Sequence, residues 1–248
     1  MTQTTGEAAS PQADGDAPTA ARHDILTSYD VFTSRVSEMC TRPGQQQALR
    51  VGLGRSMDDM PCRTHAALLR HGLIPDRASN ADKRAYYAVA ALIAARPRAE
   101  RRADNTRTES SDPTAAAPVP GDRAKTDPDD LTTERQPNSW GTTLGESLAA
   151  LTTRRTAQPA AEDATSPTTQ ANKISGVEQR LHLLVRQDID GVHRMLPALV
   201  RQLGSAGVTV DYGRLLHDLL RWPHRRTDIA TRWLEDYYRT LRRAERRT

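Results

Sequence analysis

Large apolar residues recur every three or four positions in the last third of the chain, and this spacing constrains the fold more than any other feature. One stripe runs through residues 177–185 and a second through residues 192–203. Two more occupy residues 212–220 and 229–241. This period places the apolar side chains on one face of a helix. No stretch shows the sustained two-residue alternation of a strand, so the sequence predicts an all-α fold.

Segments that are poor in large apolar residues separate the helical patterns. They are rich in Ala, Pro, Thr and Asp, and they carry too little apolar surface to offset the entropy of ordering the chain. We therefore expect a disordered leader (1–23) and two disordered inserts (98–139 and 152–174). Between them we expect two small helical bundles: an N-terminal helical domain (24–97) and a C-terminal helical domain (175–248), with a short helix (140–151) packing on the bundle.

Local signals indicate where several helices begin and end. Ser79 and Asp82 have the spacing of a capping box, in which each residue satisfies a backbone N–H near the other. Asp211 is placed to cap the helix that follows it. Pro61 can open a helix, because its fixed φ suits the first turn. Pro223 predicts a break between the last two helices, since proline has no N–H to donate.

The sequence carries no recognisable catalytic or metal-binding motif. Cys62, His65 and His71 come nearest to a zinc site, but zinc sites need four ligands at recognised spacings. We expect no catalytic residue, no metal and no cofactor, and therefore no enzyme. The leader lacks the apolar segment of a signal peptide, and no window is apolar enough to cross a bilayer. We therefore expect a cytoplasmic protein.

Arginine dominates the basic residues, and its placement suggests an anionic ligand. Residues 176–248 contain fourteen arginines, nine acidic residues and no lysine. Arg194 and Arg201 are seven residues apart, as are Arg214 and Arg221, so each pair shares a helix face roughly opposite its apolar stripe. Arg186 opposes its own stripe in the same way. Guanidinium groups suit phosphate oxygens, although a solvated polar face or a GC-rich coding bias would also produce these arginines.

Two further arginines stand at the predicted start of the last helix, where the helix dipole makes a positive charge unfavourable. A phosphate bound at Arg225 and Arg226 would meet free backbone N–H groups, the helix dipole and two guanidinium groups together. The alternative is a salt bridge to Asp228 or to an acid on the preceding helix. Trp222 and Trp233 could stack on bases, but their helical spacing favours core positions.

An ordered series of segments resembles a known family. The segments are LGESLAAL, EQRLHLLVRQD, LPALVRQL, GVTVDYGRLLHDLLRW and RWLEDYY, preceded by QALRVGLGRSMDD and AYYAVAALIAA. Their order is similar to that of the CasB family, the small subunit of the type I-E CRISPR surveillance complex, Cascade. The long leader and the two inserts depart from this family, which joins its helices more tightly.

The resemblance implies a non-enzymatic, all-helical protein that stabilises an opened DNA target through sequence-independent basic contacts. Its implied partners are guide RNA, target and displaced DNA strands, the backbone and large Cascade subunits, and a second copy of itself. Six arginines match positions where the family carries basic residues: Arg50, Arg180, Arg186, Arg201, Arg225 and Arg226. Six further candidates are supported by the sequence pattern alone: Arg55, Lys83, Arg84, Arg194, Arg214 and Arg221.

Two other functions remain open from the sequence. Residues 211–239 could be read as two helices around a turn, which is the arrangement of a DNA-binding regulator of the helix-turn-helix type. Such a regulator would show sequence preference. A scaffold protein without nucleic-acid binding is the other possibility, and its arginines would reflect coding bias alone.

Overall fold

The computed structural model describes residues 17–97, 141–157 and 167–247, with side chains for 26–97, 141–156 and 176–247. These residues form eight α-helices and no strand, which confirms the all-α prediction. None of the described helices combines the length and the apolar character needed to cross a membrane. In chain order the helices are α1 (Ala17–Met39), α2 (Pro43–Arg50), α3 (Cys62–Leu69), α4 (Asn80–Ala95), α5 (Leu144–Ala157), α6 (Pro167–Val185), α7 (Ile189–Ser205) and α8 (Tyr212–Glu245).

Several helices extend into segments that were expected to be disordered. Helix α1 begins within the predicted leader, and α6 begins within the second insert. Helix α5 continues six residues beyond the predicted end at 151. Thr152 is buried there, and its hydroxyl lies 3.2 Å from the hydroxyl of Tyr237. Polar threonines can be buried when such a partner exists, and composition alone does not reveal the partner.

The predicted helix caps are present. The Ser79 hydroxyl accepts a hydrogen bond from the Asp82 backbone N–H, and the Asp82 carboxylate accepts one from the Ser79 N–H, which completes the capping box. Asp211 caps α8 by accepting from the Arg214 N–H at 2.8 Å. Pro61 immediately precedes α3. Short-range sequence signals therefore locate these helix ends correctly.

One contiguous hydrophobic core takes residues from both halves of the chain. Helix α8 packs against α1, α4 and α5, so it lies at the centre of the fold. Trp222 and Trp233 are each about 1 % exposed or less, which confirms them as core residues. Leu148 of α5 and Tyr87 of α4 belong to the same cluster. The division into domains at the boundaries given above stays a prediction.

Helix α8 folds back on itself at a sharp kink. Arg225, with φ −131° and ψ 29°, is the residue with non-helical angles, two positions after Pro223. In a straight helix the fifteen residues from Asp218 to Trp233 would span about 22 Å. Instead, Trp233 Nε1 lies 2.8 Å from Asp218 Oδ2, and the rings of Trp222 and Trp233 are 5.0 Å apart. The two segments of α8 therefore pack against each other, with the kink at their tip.

Candidate nucleic-acid interface

The tip of α8 is the most exposed part of this central helix. All six residues 223–228, which we call the tip, are exposed, whereas Trp222 and Ile229 on either side are buried. The kink turns the chain away from the core at this point, so Arg225 and Arg226 project from the surface. The predicted break and its two arginines thus form an accessible basic projection.

The two tip arginines have different neighbours. Arg225 Nη1 lies 3.4 Å from Asp228 Oδ2, which confirms the salt bridge considered as the alternative to a phosphate. Both side chains of this pair are more than half exposed, and such surface pairs contribute little to stability. Arg226 Nη2 donates to the backbone carbonyl of Arg186 at 2.8 Å, just beyond the end of α6. Arg226 therefore satisfies a carbonyl at a helix C-terminus, where cations are favoured.

A contact with α6 places Arg186 beside the tip, and Arg221 precedes the tip by two positions in the sequence. Arg226 holds the exposed Arg186 beside it through the carbonyl just described. Burial raises the pKa of Tyr29 in α1, and the positive charge of the exposed Arg221 opposes that rise, so Arg221 lies near α1. We call Arg186, Arg221, Arg225 and Arg226 the basic cluster.

Lys83 and Arg84 lie in the first turns of α4 and are only half-buried. Arg84 forms an ion pair with Asp190 in the first turn of α7, close in sequence to Arg186. The Arg84 charge is therefore partly compensated by a carboxylate. As a nucleic-acid contact, Lys83 is supported only by its position next to Arg84 in α4.

The remaining candidates occupy other surfaces. Arg180 donates to Gln202 Oε1, which places it beside the exposed Arg201 on the α6–α7 pair. Arg194 is exposed on α7, and Arg50 is exposed at the end of α2. Arg55 is also exposed and donates from Nε to the carbonyl of Val51 at 2.9 Å. No hydrogen bond or ion pair of the described residues connects these five arginines to the basic cluster.

Arg214 corrects the predicted placement, because its side chain is only 4 % exposed. The first turns of α8 are covered on every side, since α1, α4 and α5 all pack against this helix. Arg214 Nε lies 3.3 Å from Asp218 Oδ1, and this buried pair takes the place of a solvated arginine. Helix spacing alone predicts that Arg214 lies on a solvated face. It does not show how many helices pack around α8, so it cannot reveal that Arg214 is buried.

Asp218 is the centre of a buried polar network that the sequence does not reveal. Its carboxylate accepts from Trp233 Nε1 and lies 3.2 Å from His217 Nδ1, in addition to the Arg214 contact. Burial acts to raise the pKa of Asp218, but the hydrogen bonds from His217 and Trp233 and the charge of Arg214 outweigh it and lower the pKa. The network joins the two segments of α8 and supports the position of the tip.

No group of three metal-ligating side chains occurs among the residues that the structure describes. His65 Nδ1 lies 2.8 Å from the hydroxyl of Tyr87, which accounts for one of the three residues considered for zinc. His71 lies 3.4 Å from Gln45 through its Nε2. The histidines and the cysteine thus do not converge on one point.

A family model and several solved structures that match this chain point to the same family of proteins. The family model of the CRISPR-associated protein Cse2 matches residues 47–238. Two solved chains of a CRISPR RNA-guided surveillance complex, one of them pre-nicking, are each 32 % identical and align over 90 % of this chain and 98 % of theirs, with TM-scores of 0.60 and 0.61. The crystal structure of M. ruber CasB shares the fold at 18 % identity, covering 89 % of this chain and 98 % of its own, with a TM-score of 0.59. None of the curated proteins gave a match.

Proposed function

The chain belongs to the CRISPR-associated Cse2 family, and from this premise we propose that it is the non-enzymatic small subunit of a Cascade-type surveillance complex in the cytoplasm. In that role it binds the backbone of guide RNA and of target and displaced DNA strands without sequence preference. These contacts stabilise the R-loop during antiviral defence. The observation that carries the proposal is the basic cluster at the exposed tip of α8.

The physical requirement of an R-loop matches such a surface. Forming the guide–target heteroduplex replaces a DNA duplex of similar stability. Protein contacts to the nucleic-acid backbone can therefore shift this equilibrium towards the R-loop. Arginines that neutralise phosphates release counterions and bind any sequence. Arg221 and Arg225 are exposed and can reach a strand that passes the tip. A surface of this kind adds affinity and leaves sequence specificity to the guide.

The placement of the aromatic residues supports backbone binding rather than base stacking. Strands held by stacking need exposed aromatic rings along the groove. Trp222, which precedes the tip in the sequence, and Trp233, whose ring packs on it, are both buried in the core. The tip itself contains one ring, the imidazole of His224. Charge is therefore the main means of attachment that this surface offers.

The partners follow from the same premise. We propose contacts with the backbone and large subunits and with a second copy of the chain. Two solved chains at 32 % identity come from a surveillance complex, and this supports assembly with other subunits. The arginines outside the basic cluster, on α2 and on the α6–α7 pair, offer further surfaces for strands or for acidic faces of partners.

The helix-turn-helix regulator receives less support from the geometry. That motif joins its helices through a turn of three or four residues, whereas Arg225 is the one residue of α8 with non-helical angles. Ile229 and Trp233 of the second segment are buried, so this segment presents few side chains to a DNA groove. The other alternative, a scaffold protein, predicts that the chain does not bind nucleic acid at moderate salt.

The first test is fluorescence anisotropy of the full chain with mixed-sequence single-stranded DNA, double-stranded DNA and RNA across a salt series. We expect binding that weakens steeply with salt and changes little with sequence. A strong preference for one duplex sequence would favour the regulator. Absence of binding by the free chain at low salt, together with absence of any effect of the chain on R-loop lifetime in the assembled complex, would contradict the proposal.

A further inference from the structure

A cavity of about 440 Å³ lies among the N-terminal helices, and no residue of the basic cluster lines it. The end of α1, the start of α2 and the connection between α3 and α4 form its walls. Its polar lining includes Arg35, Glu38, Arg42, Gln45 and His71. None of these residues was a candidate nucleic-acid contact in the sequence, and the proposed function makes no use of them.

The charges in this cavity favour an anion. Arg35 and Arg42 are both exposed, and within the described part of the chain neither forms an ion pair with Glu38 or with another acid. Arg42 is also the N-cap residue of α2, and its side chain makes no capping hydrogen bond. The positive end of the α2 dipole therefore adds to the two guanidinium charges.

Gln45 and His71 contact each other in the wall of the cavity. Gln45 Nε2 lies 3.4 Å from His71 Nε2, and the buried Oε1 of Gln45 has no hydrogen-bond partner in the described residues. A buried acceptor without a donor is unfavourable. Half a turn of the amide would let Oε1 accept from the His71 ring, and the NH2 group would then take the buried position of Oε1. An anion in this cavity would therefore be held by Arg35 and Arg42 rather than by Gln45.

The size and the apolar part of the cavity narrow the ligand class. A phosphate ion alone would fill little of this volume, which falls in the range of small-molecule and cofactor pockets. Met39 and Leu73 line the cavity beside the charged groups, and both pack on the hydrophobic core. Methionine sulfur and aliphatic side chains pack well on planar aromatic rings. A ligand with an anionic group and a flat ring fits both parts of the lining.

We propose that this cavity binds one nucleotide unit. Arg35 and Arg42 hold its phosphate, Met39 and Leu73 contact its base, and Glu38 accepts from its ribose hydroxyl groups. The nucleotide can be free or can be an unpaired residue of a strand, and only the strand as its source rests on the proposed function. A strand that supplies this nucleotide would contact the chain at two sites, the tip of α8 and this cavity.

The test is isothermal titration of the full chain, in phosphate-free buffer at low salt, with adenosine 5′-monophosphate, adenosine and inorganic phosphate. We expect saturable binding of the monophosphate, at least about tenfold tighter than that of adenosine or phosphate alone, because each fragment keeps only part of the contacts. The double variant Arg35→Ala/Arg42→Ala should weaken monophosphate binding about tenfold or more. The matched control Arg242→Ala/Arg243→Ala removes two exposed arginines elsewhere and should leave it unchanged.

Competition with an oligonucleotide distinguishes the two sources of the ligand. If single-stranded oligo(dA) displaces the monophosphate from the chain with Arg225→Ala in the tip, the cavity accepts a nucleotide of a strand. If it does not, the cavity takes free nucleotides, and the proposal stands in that form. Equal binding of phosphate and monophosphate, or equal losses in the two double variants, would overturn it. Neither result would affect the anisotropy test of the proposed function, because that test measures strand binding by the basic cluster.

Discussion

Trp233 donates a hydrogen bond from Nε1 to Asp218 Oδ2 at 2.8 Å, although fifteen positions of one helix separate the two residues. This contact shows that α8 returns on itself at Arg225. It also links the buried core to the exposed tip, because the residues between the two partners form the tip and its flanks. The stability of the core and the position of the basic cluster are therefore coupled.

Trp233→Phe should destabilise the fold while it keeps most of the packing. The substitution leaves the buried Asp218 carboxylate without one of its donors, and loss of a hydrogen bond to a buried charged group costs about 1–3 kcal/mol. Urea denaturation followed by circular dichroism measures this difference. Tyr238→Phe is the control, because it removes a hydrogen bond to Glu178 from a residue that is 38 % exposed. Equal stability of Trp233→Phe and the wild type would show that the hydrogen bond from Trp233 to Asp218 contributes nothing to stability.

His193 should make the stability of the protein depend on pH. Burial and, to a smaller extent, the Arg84 charge lower the pKa of His193 from 6.5 to about 4. A depressed pKa favours the folded state above the unfolded pKa, so this contribution is present at pH 7 and is lost as the pH falls from 6.5 towards 4. The loss for a shift of this size is about 3 kcal/mol.

Denaturation midpoints measured at several pH values test this dependence. His193→Leu should remove the decline between pH 6.5 and pH 4, since leucine has no proton to gain. His224→Leu, which alters an exposed histidine of the tip, should keep the decline. A decline that persists unchanged in His193→Leu would assign the pH dependence to other groups.

Gly145→Ala should disrupt the packing of α5 on α8. A Cβ at this position would collide with the backbone carbonyl of Trp233, and a backbone atom cannot move aside as a flexible side chain can. We expect a loss of about 1–3 kcal/mol, as for other overpacked cores. Gly176→Ala is the matched control in α6, where a Cβ meets no atom within 4 Å. That change should be neutral or should stabilise the helix by up to about 1 kcal/mol.

Charge reversal at the tip tests the basic cluster directly. Arg225→Glu should weaken binding of single-stranded DNA about tenfold and lower the slope of log affinity against log salt by about 0.7 for each phosphate that the variant no longer neutralises. The variant should keep the helical circular dichroism of the wild type, because Arg225 is exposed and, among the residues that the structure describes, pairs only with the exposed Asp228. Arg242→Glu, at the other end of the helix, is the control for net charge. Equal affinities of wild type and Arg225→Glu would remove this arginine from the interface.

Local signals in the sequence predicted much of the fold. Apolar spacing identified α8 and its neighbours, the Ser79–Asp82 pair predicted the capping box, and Pro223 predicted the break near Arg225. These features depend on residues within about one or two helical turns of each other. The sequence also predicted that Trp222 and Trp233 lie in the core, because large aromatic residues at helical spacing are usually buried.

Only the tertiary structure decided which arginines are available to a ligand. Arg214 has the helical spacing of a surface residue, yet it is buried because three other helices surround this part of α8. Arg226 reaches the Arg186 carbonyl only because the kink brings α6 and α8 together. The cavity at Arg35 and Arg42 likewise joins segments that are distant in sequence. Periodicity describes one helix at a time, whereas the burial and the partners of a side chain depend on every element that packs around it.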